Sequence, residues 1–259
     1  MKKLLIIPNR CEIKKSLALA QKYNLGFEYN DFFTPDVLDD TSLCKQYITE
    51  YQSHKLPDFC TMHGDFFDVS VTSFDKKIRE ISALRINQSI DIAKKMKVSA
   101  IIFHINYNPF LNTRVYVDNF ISENIKFWGE VLSQNPDINI YLENMFEQSP
   151  DILIEIAKEL CHFKNFGICL DFAHASISKT SAHIWVEKLC PYIRHIHIND
   201  NDLTSDLHLA WGDGKINRQE FYSLYEKYLQ NTPILIETSS IDNQIRSLET
   251  LIADRFIEK

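Results

Sequence analysis

Residues 194–198, Arg194-His195-Ile196-His197-Ile198, place Ile196 and Ile198 on one side of an extended chain and His195 and His197 on the other. A second stretch, Asn139-Ile140-Tyr141-Leu142-Glu143, has the same form: Ile140 and Leu142 oppose Glu143, which is the last residue of the run. Both read as buried strands with their aliphatic faces turned to covering helices. Their ionisable residues then turn to the opposite face, near the C-terminal end.

Working outward from these two, short apolar runs alternate with longer amphipathic segments along the chain, the pattern of repeated βα units around a parallel sheet. Strands are expected at Lys3–Pro8, Gly26–Tyr29, Asp58–His63, Ala100–His104, Asn139–Glu143, Phe166–Asp171, Arg194–Ile198 and Pro233–Glu237. Helices are expected at Glu12–Tyr23, Asp36–Ser53, Asp75–Lys97, Arg114–Ser133, Pro150–His162, Ala182–Leu189, Arg218–Leu229 and Asp242–Phe256. In the helix at Asp75–Lys97, the apolar face is read from Ile78, Ile81, Leu84, Ile90 and Ala93. Eight such units close a barrel, so the expected class is α/β, a single (β/α)8 TIM barrel, with residues 1–259 forming one domain. The first βα junction, Ile7-Pro8-Asn9-Arg10-Cys11-Glu12, carries no glycine-rich phosphate turn, which argues against a nucleotide fold.

Composition narrows the function classes. A net charge of −7 gives no basic footprint for nucleic acid, so nucleic acid is disfavoured as a partner. The opening Met1-Lys2-Lys3 and Leu4-Leu5-Ile6-Ile7 are followed at once by Pro8-Asn9-Arg10, too short an apolar run for a signal core. No stretch approaches the roughly 18 apolar residues of a membrane helix, so no membrane role is expected. The six cysteines form no CxxC pair and read as reduced thiols. The expectation is a cytoplasmic protein, with self-association into a homo-oligomer left open.

Six of the eight strands end, or nearly end, in a metal-ligating side chain: His63, His104, Glu143, Asp171, His197 and Glu237. A lone strand-end His or Asp is more often hydrogen-bonded scaffold than ligand. Repetition changes that, because a parallel barrel opens all these ends onto one face, and so many buried ionisable groups need a compensating cation. His174, Asp206 and His208 follow in adjoining loops. Mixed imidazole and carboxylate donors suit zinc, manganese or iron, and the carboxylate-rich subset also suits magnesium. His195, one layer deeper than His197, is expected to orient or pack rather than ligate, while His54, His162 and His183 read as surface groups. In the loop Trp211-Gly212-Asp213-Gly214-Lys215, Trp211 and Lys215 are candidate substrate contacts, and the glycines either admit a ligand or simply make a turn. The aromatic residues Phe66, Phe67, Tyr107, Phe110 and Phe146 are candidate walls of the same mouth.

Met62-His63-Gly64-Asp65, Phe103-His104, Leu142-Glu143-Asn144, Leu170-Asp171-Phe172-Ala173-His174, His195-Ile196-His197-Ile198-Asn199-Asp200, Asp206-Leu207-His208 and Ile236-Glu237 together resemble the xylose isomerase-like TIM barrels. That superfamily includes sugar isomerases and epimerases as well as endonuclease IV-type apurinic-site endonucleases. In the isomerase and epimerase branch, the resemblance implies one divalent metal on Glu143, Asp171, His197 and Glu237. Glu143 and Glu237 would shuttle a proton, and His174 would contact a small sugar or sugar phosphate, with His63 and His104 also facing it. In the endonuclease branch it implies up to three zinc ions on all nine groups, adding His63, His104, His174, Asp206 and His208. The isomerase or epimerase is the first expectation and the multi-zinc phosphodiesterase the second. Acidic loops favour the first, since only Arg10, Arg114, Lys179 and Lys215 are expected near the mouth.

Overall fold

The aliphatic runs form strands that close on themselves in a computed structural model describing residues 2–258. The strands are β1 (Leu4–Ile6), β2 (Gly26–Tyr29), β3 (Cys60–His63), β4 (Ala100–His104), β5 (Asn139–Glu143), β6 (Phe166–Asp171), β7 (Ile193–Ile198) and β8 (Ile234–Ile236). Each pairs in parallel with the next, and β8 returns to β1 through Leu4↔Ile234 and Ile6↔Ile236, completing a (β/α)8 TIM barrel. Around it lie α1 (Ile13–Tyr23), α2 (Pro35–Asp39), α3 (Thr41–Gln52), α4 (Lys76–Met96), α5 (Arg114–Gln134), α6 (Asp151–Leu160), α7 (Phe172–Ile177), α8 (Ala182–Leu189), α9 (Arg218–Tyr228) and α10 (Ile241–Ala253).

The main core lies between strands and helices. Ile140 and Leu142 of β5 and Ile196 and Ile198 of β7 are buried there, each burial stabilising by roughly 1.5–3 kcal/mol. Register then sets the mouth: His104 sits beside Glu143, and Asp171 beside His197. Glu237 lies one residue past β8, its backbone N–H donating to Ile198 O at 2.9 Å, which draws it level with the ends of β6 and β7.

Three helices depart from the sequence expectation. The segment 36–53 breaks at Asp40, whose carboxylate accepts from the N–H groups of Ser42 and Leu43 and starts α3 afresh. In α4, Ile78, Ile81 and Leu84 are 42–48% exposed, and the inner face is Ser82, Ile86, Ser89, Ile90 and Ala93. The cause is polar: the hydroxyls of Ser82 and Ser89 accept from the N–H groups of Ser70 and Asp65, so the helix turns its small residues toward the loop after β3. The short helix α7 follows β6 without any linker, capped by Asp171, whose carboxylate accepts from His174 N. Among the described residues, no helix is long and apolar enough to cross a membrane.

Candidate metal centre

The strand-end residues and the two loops after β6 and β7 come together in three adjoining sets. His63 and His104, from neighbouring strands, each bring Nε2 to 3.2 Å from Glu143 Oε2. The other oxygen of Glu143 lies 3.0 Å from His197 Nδ1, within the set Glu143, Asp171, His197 and Glu237, whose ligand atoms all lie within 4.8 Å of one another. In the third set, His174 Nε2 and His208 Nε2 stand 3.2 and 3.0 Å from Asp206 Oδ2. All nine expected groups are therefore in the mouth. Seven are buried, His208 is half-buried, and Asp206 is exposed.

Backbone carbonyls orient the imidazoles. Nδ1 of His63, His174 and His208 lies 2.9, 2.9 and 3.1 Å from the carbonyl oxygens of Gly64, Asn144 and Glu237. A carbonyl only accepts, so Nδ1 carries the proton in each ring, and a neutral ring offers its Nε2 lone pair to the mouth. Asn144 ties the ends of β5 and β6: its side chain donates to Asp171 O and accepts from Asp171 N, both at 2.9 Å. Asn199 Nδ2 donates to Glu237 Oε2 at 3.3 Å.

This arrangement fits a divalent cation. Twice, two imidazole nitrogens converge on one carboxylate oxygen, and Glu143 Oε1, Asp171 Oδ2 and His197 Nδ1 are buried with no hydrogen-bond partner. Without an ion, the groups neutralise one another. Burial opposes ionisation of Glu143, yet His197 and His104 hold its carboxyl well below the usual range. Burial, reinforced by Glu237 and Glu143, drives Asp171 well above it. His208 rises to about 10, because its contacts with Asp206 and Glu237 outweigh burial. A bound cation displaces such protons, so affinity falls in acid.

Several expected contacts need correction. Trp211 is wholly buried rather than a pocket wall: its indole donates to Tyr222 Oη at 3.0 Å and packs on Phe221, filling space beneath the loop after β7. The glycines beside it make a turn, since Asp200 accepts from Gly212 N and Ile216 N, and Gly212 has φ 105°. Lys215 is exposed, its charge acting on Asp202 in the loop after β7. Arg10 is engaged by Asp31 and Glu50. Of the aromatic residues, Phe66 borders the site, with ring centroids 5.0 Å from His63 and 5.1 Å from His104. It stacks on Phe33, which patterning did not single out because it follows β2, one of the two strands without an expected ligand.

The same strand hides Glu28. It is 1% exposed and lies against His195 and His197 of β7, which is separated from β2 in the sheet by β1 and β8, so these contacts cross the barrel interior. No local signal in β2 marked it in the sequence, since its partners lie on β7. His195 takes the deeper, non-mouth position expected of it.

Glu147, four residues beyond Glu143, is buried with Oε1 unpartnered, and burial raises its carboxyl to about 7. The folded chain thus keeps this proton between pH 4.5 and 7 while the unfolded chain loses it. Its contribution is full below 4.5 and disappears as pH rises through 7. Glu147→Gln in metal-free protein is expected to gain about 2–3 kcal/mol over the original at pH 8 and nothing at pH 4. Urea unfolding at the two pH values checks this, and an equal difference at both would refute it.

A parallel barrel closes here with imidazoles and carboxylates gathered at its open end into three adjoining sets that could hold metal ions. The chain belongs to the xylose isomerase-like TIM barrel family, which it matches over residues 18–254. It is 29% identical to uncharacterized protein MJ1311 of Methanocaldococcus jannaschii, over 73% of this chain and 68% of that one. It is 27% identical to apurinic-apyrimidinic endonuclease 1 of Plasmodium berghei, over 70% of this chain and 39% of that longer protein. Its fold is similar to the crystal structure of a D-tagatose 3-epimerase-like protein, with TM-score 0.76, 24% identity, and coverage of 99% and 100% of the two chains.

Proposed function

We propose that the protein is a multinuclear metal-dependent phosphoesterase. The observation carrying this reading is the division of Glu143, one oxygen toward His63 and His104 and the other toward His197, with a third ligand set alongside. A one-ion site needs only Glu143, Asp171, His197 and Glu237 as ligands, and leaves Asp206 and His208 without a task and His63, His104 and His174 with no more than substrate contact. Divalent ions held by these residues would supply Lewis-acid polarisation of a phosphoryl oxygen and activation of water at neutral pH. Glu143 spans the first two sets, Asp171 and Glu237 balance charge, and His63, His174 and His208 present Nε2 with their Nδ1 protons held by carbonyls. The relative named as an apurinic-apyrimidinic endonuclease supports this chemistry.

Charge favours a small phosphate ester over a long polyanion. Of the four cations expected near the mouth, Arg10 is tied to Asp31 and Glu50, and Arg114 pairs with Asp118. The stack of Phe33, Phe66 and Phe67 offers an apolar face to the rest of such a substrate. All six cysteines are free, which suits a cytoplasmic protein.

The second reading is a one-ion isomerase or epimerase of a small sugar. It is favoured by the completeness of the set Glu143, Asp171, His197 and Glu237, where the two glutamates could exchange a proton with a sugar carbon while His174 orients an oxygen. Metal analysis with two assays separates the readings. The expected result is about two to three zinc ions per chain and hydrolysis of bis(4-nitrophenyl) phosphate. About one ion per chain, solvent deuterium entering a ketose and no phosphoester cleavage would overturn the first reading.

A further inference from the structure

We infer that Glu28 is the positioning carboxylate of the metal centre, fixing through His197 which imidazole nitrogen faces the ion. This rests on the metal reading above but concerns a residue outside all nine ligands. Its two oxygens have separate surroundings. Oε2 accepts from Thr61 Oγ1 at 2.6 Å and lies 2.9 Å from His195 Nε2. Oε1 has no such anchor and stands 3.0 Å from His197 Nε2. On the far side of the ring, His197 Nδ1 is 3.0 Å from Glu143 Oε1 and 3.6 Å from Glu237 Oε1.

A neutral imidazole has one N–H and one lone pair. The Glu28 carboxylate at 3.0 Å makes no aligned hydrogen bond to Nε2, but its negative charge favours the N–H on that nitrogen, which leaves the lone pair at Nδ1 for a cation among Glu143, Asp171 and Glu237. Thr61 and His195 hold Glu28 from beneath, so the His197 ring is fixed by the barrel floor rather than by a mobile loop. A carboxylate that served only to pair His195 would have no reason to present its free oxygen to the ring of a ligand.

The test uses the full chain stripped of metal, titrated with Zn2+ against a chromophoric chelator and with Co2+ by its visible absorption, beside thermal unfolding of the metal-free protein. Wild type is expected to bind. Glu28→Gln is expected to bind about 10- to 100-fold more weakly at the set containing His197, with an altered Co2+ spectrum. Unchanged affinity and spectrum with a lower melting temperature would reduce Glu28 to a structural partner of His195 and overturn the inference. Loss of one whole equivalent of ion, with the others unmoved, would make Glu28 a ligand and also overturn it. If Glu28→Gln does not fold, Thr61→Val, which frees Oε2, carries the same test: weaker binding supports the inference and wild-type binding refutes it. A wild type that binds no ion would remove the metal reading itself.

Discussion

Glu143→Gln is expected to lower phosphoester turnover by about 10³-fold and to release metal from two sets together. Neither effect follows from losing one ligand among many. Glu143 is fully buried, and its oxygens serve different partners: His63 and His104 on one side, His197 on the other. The amide keeps the shape of the carboxylate but not its charge, so any ion held by either set would lose an anionic ligand. In the metal-free protein the same change leaves His197 without a counter-charge on its Nδ1 side, apart from the more distant Glu237 at 3.6 Å. A drop in metal-free stability is therefore expected as well, in the direction found when one partner of a buried pair is removed. Metal content by mass spectrometry and kcat in saturating zinc read the two effects. A variant that keeps its full complement of ions and its rate would show that the bridging position carries no chemistry.

The barrel was legible because its strands are buried on both faces and end abruptly. Ala100–His104, Asn139–Glu143 and Phe166–Asp171 have in the structure the bounds expected from sequence. Strand parity also made the mouth legible, since residues that share a face and a strand end must meet once the sheet closes. What stayed hidden depended on partners remote in sequence. Glu28 lies 167 residues from His195, and nothing local in Gly26-Phe27-Glu28-Tyr29 tells a barrel-crossing acid from a surface one. Trp211 misled for a related reason: a tryptophan in a long loop can face solvent or the helices, and Tyr222, eleven residues on, decides for the helices. In α4, the apolar spacing of Ile78, Ile81 and Leu84 pointed to a buried face, yet hydroxyls bonded to the loop after β3 took that face instead.

Asp206→Asn distinguishes the two chemistries most sharply, because only one of them uses Asp206, the isomerase reading drawing on His174 alone of the third set. As a multinuclear phosphoesterase, the protein should lose about 10²- to 10³-fold in turnover and roughly one ion per chain. The ion among Glu143, Asp171, His197 and Glu237 should remain. The reason lies in the geometry of that set: Asp206 Oδ2 is the single oxygen facing both His174 Nε2 and His208 Nε2, and the two rings are fixed independently by the carbonyls of Asn144 and Glu237. Removing the carboxylate therefore withdraws the charge and leaves the rings in place, a cleaner test than deleting either histidine. The side chain is 36% exposed, so the fold should survive the change. In a one-ion isomerase, Asp206 touches neither the ion nor the two proton-carrying glutamates, and His174 keeps its orientation from the Asn144 carbonyl, so the same substitution should leave kcat within about threefold. Wild-type phosphoester turnover in Asp206→Asn would thus exclude the third set from catalysis, whatever metal the mouth holds.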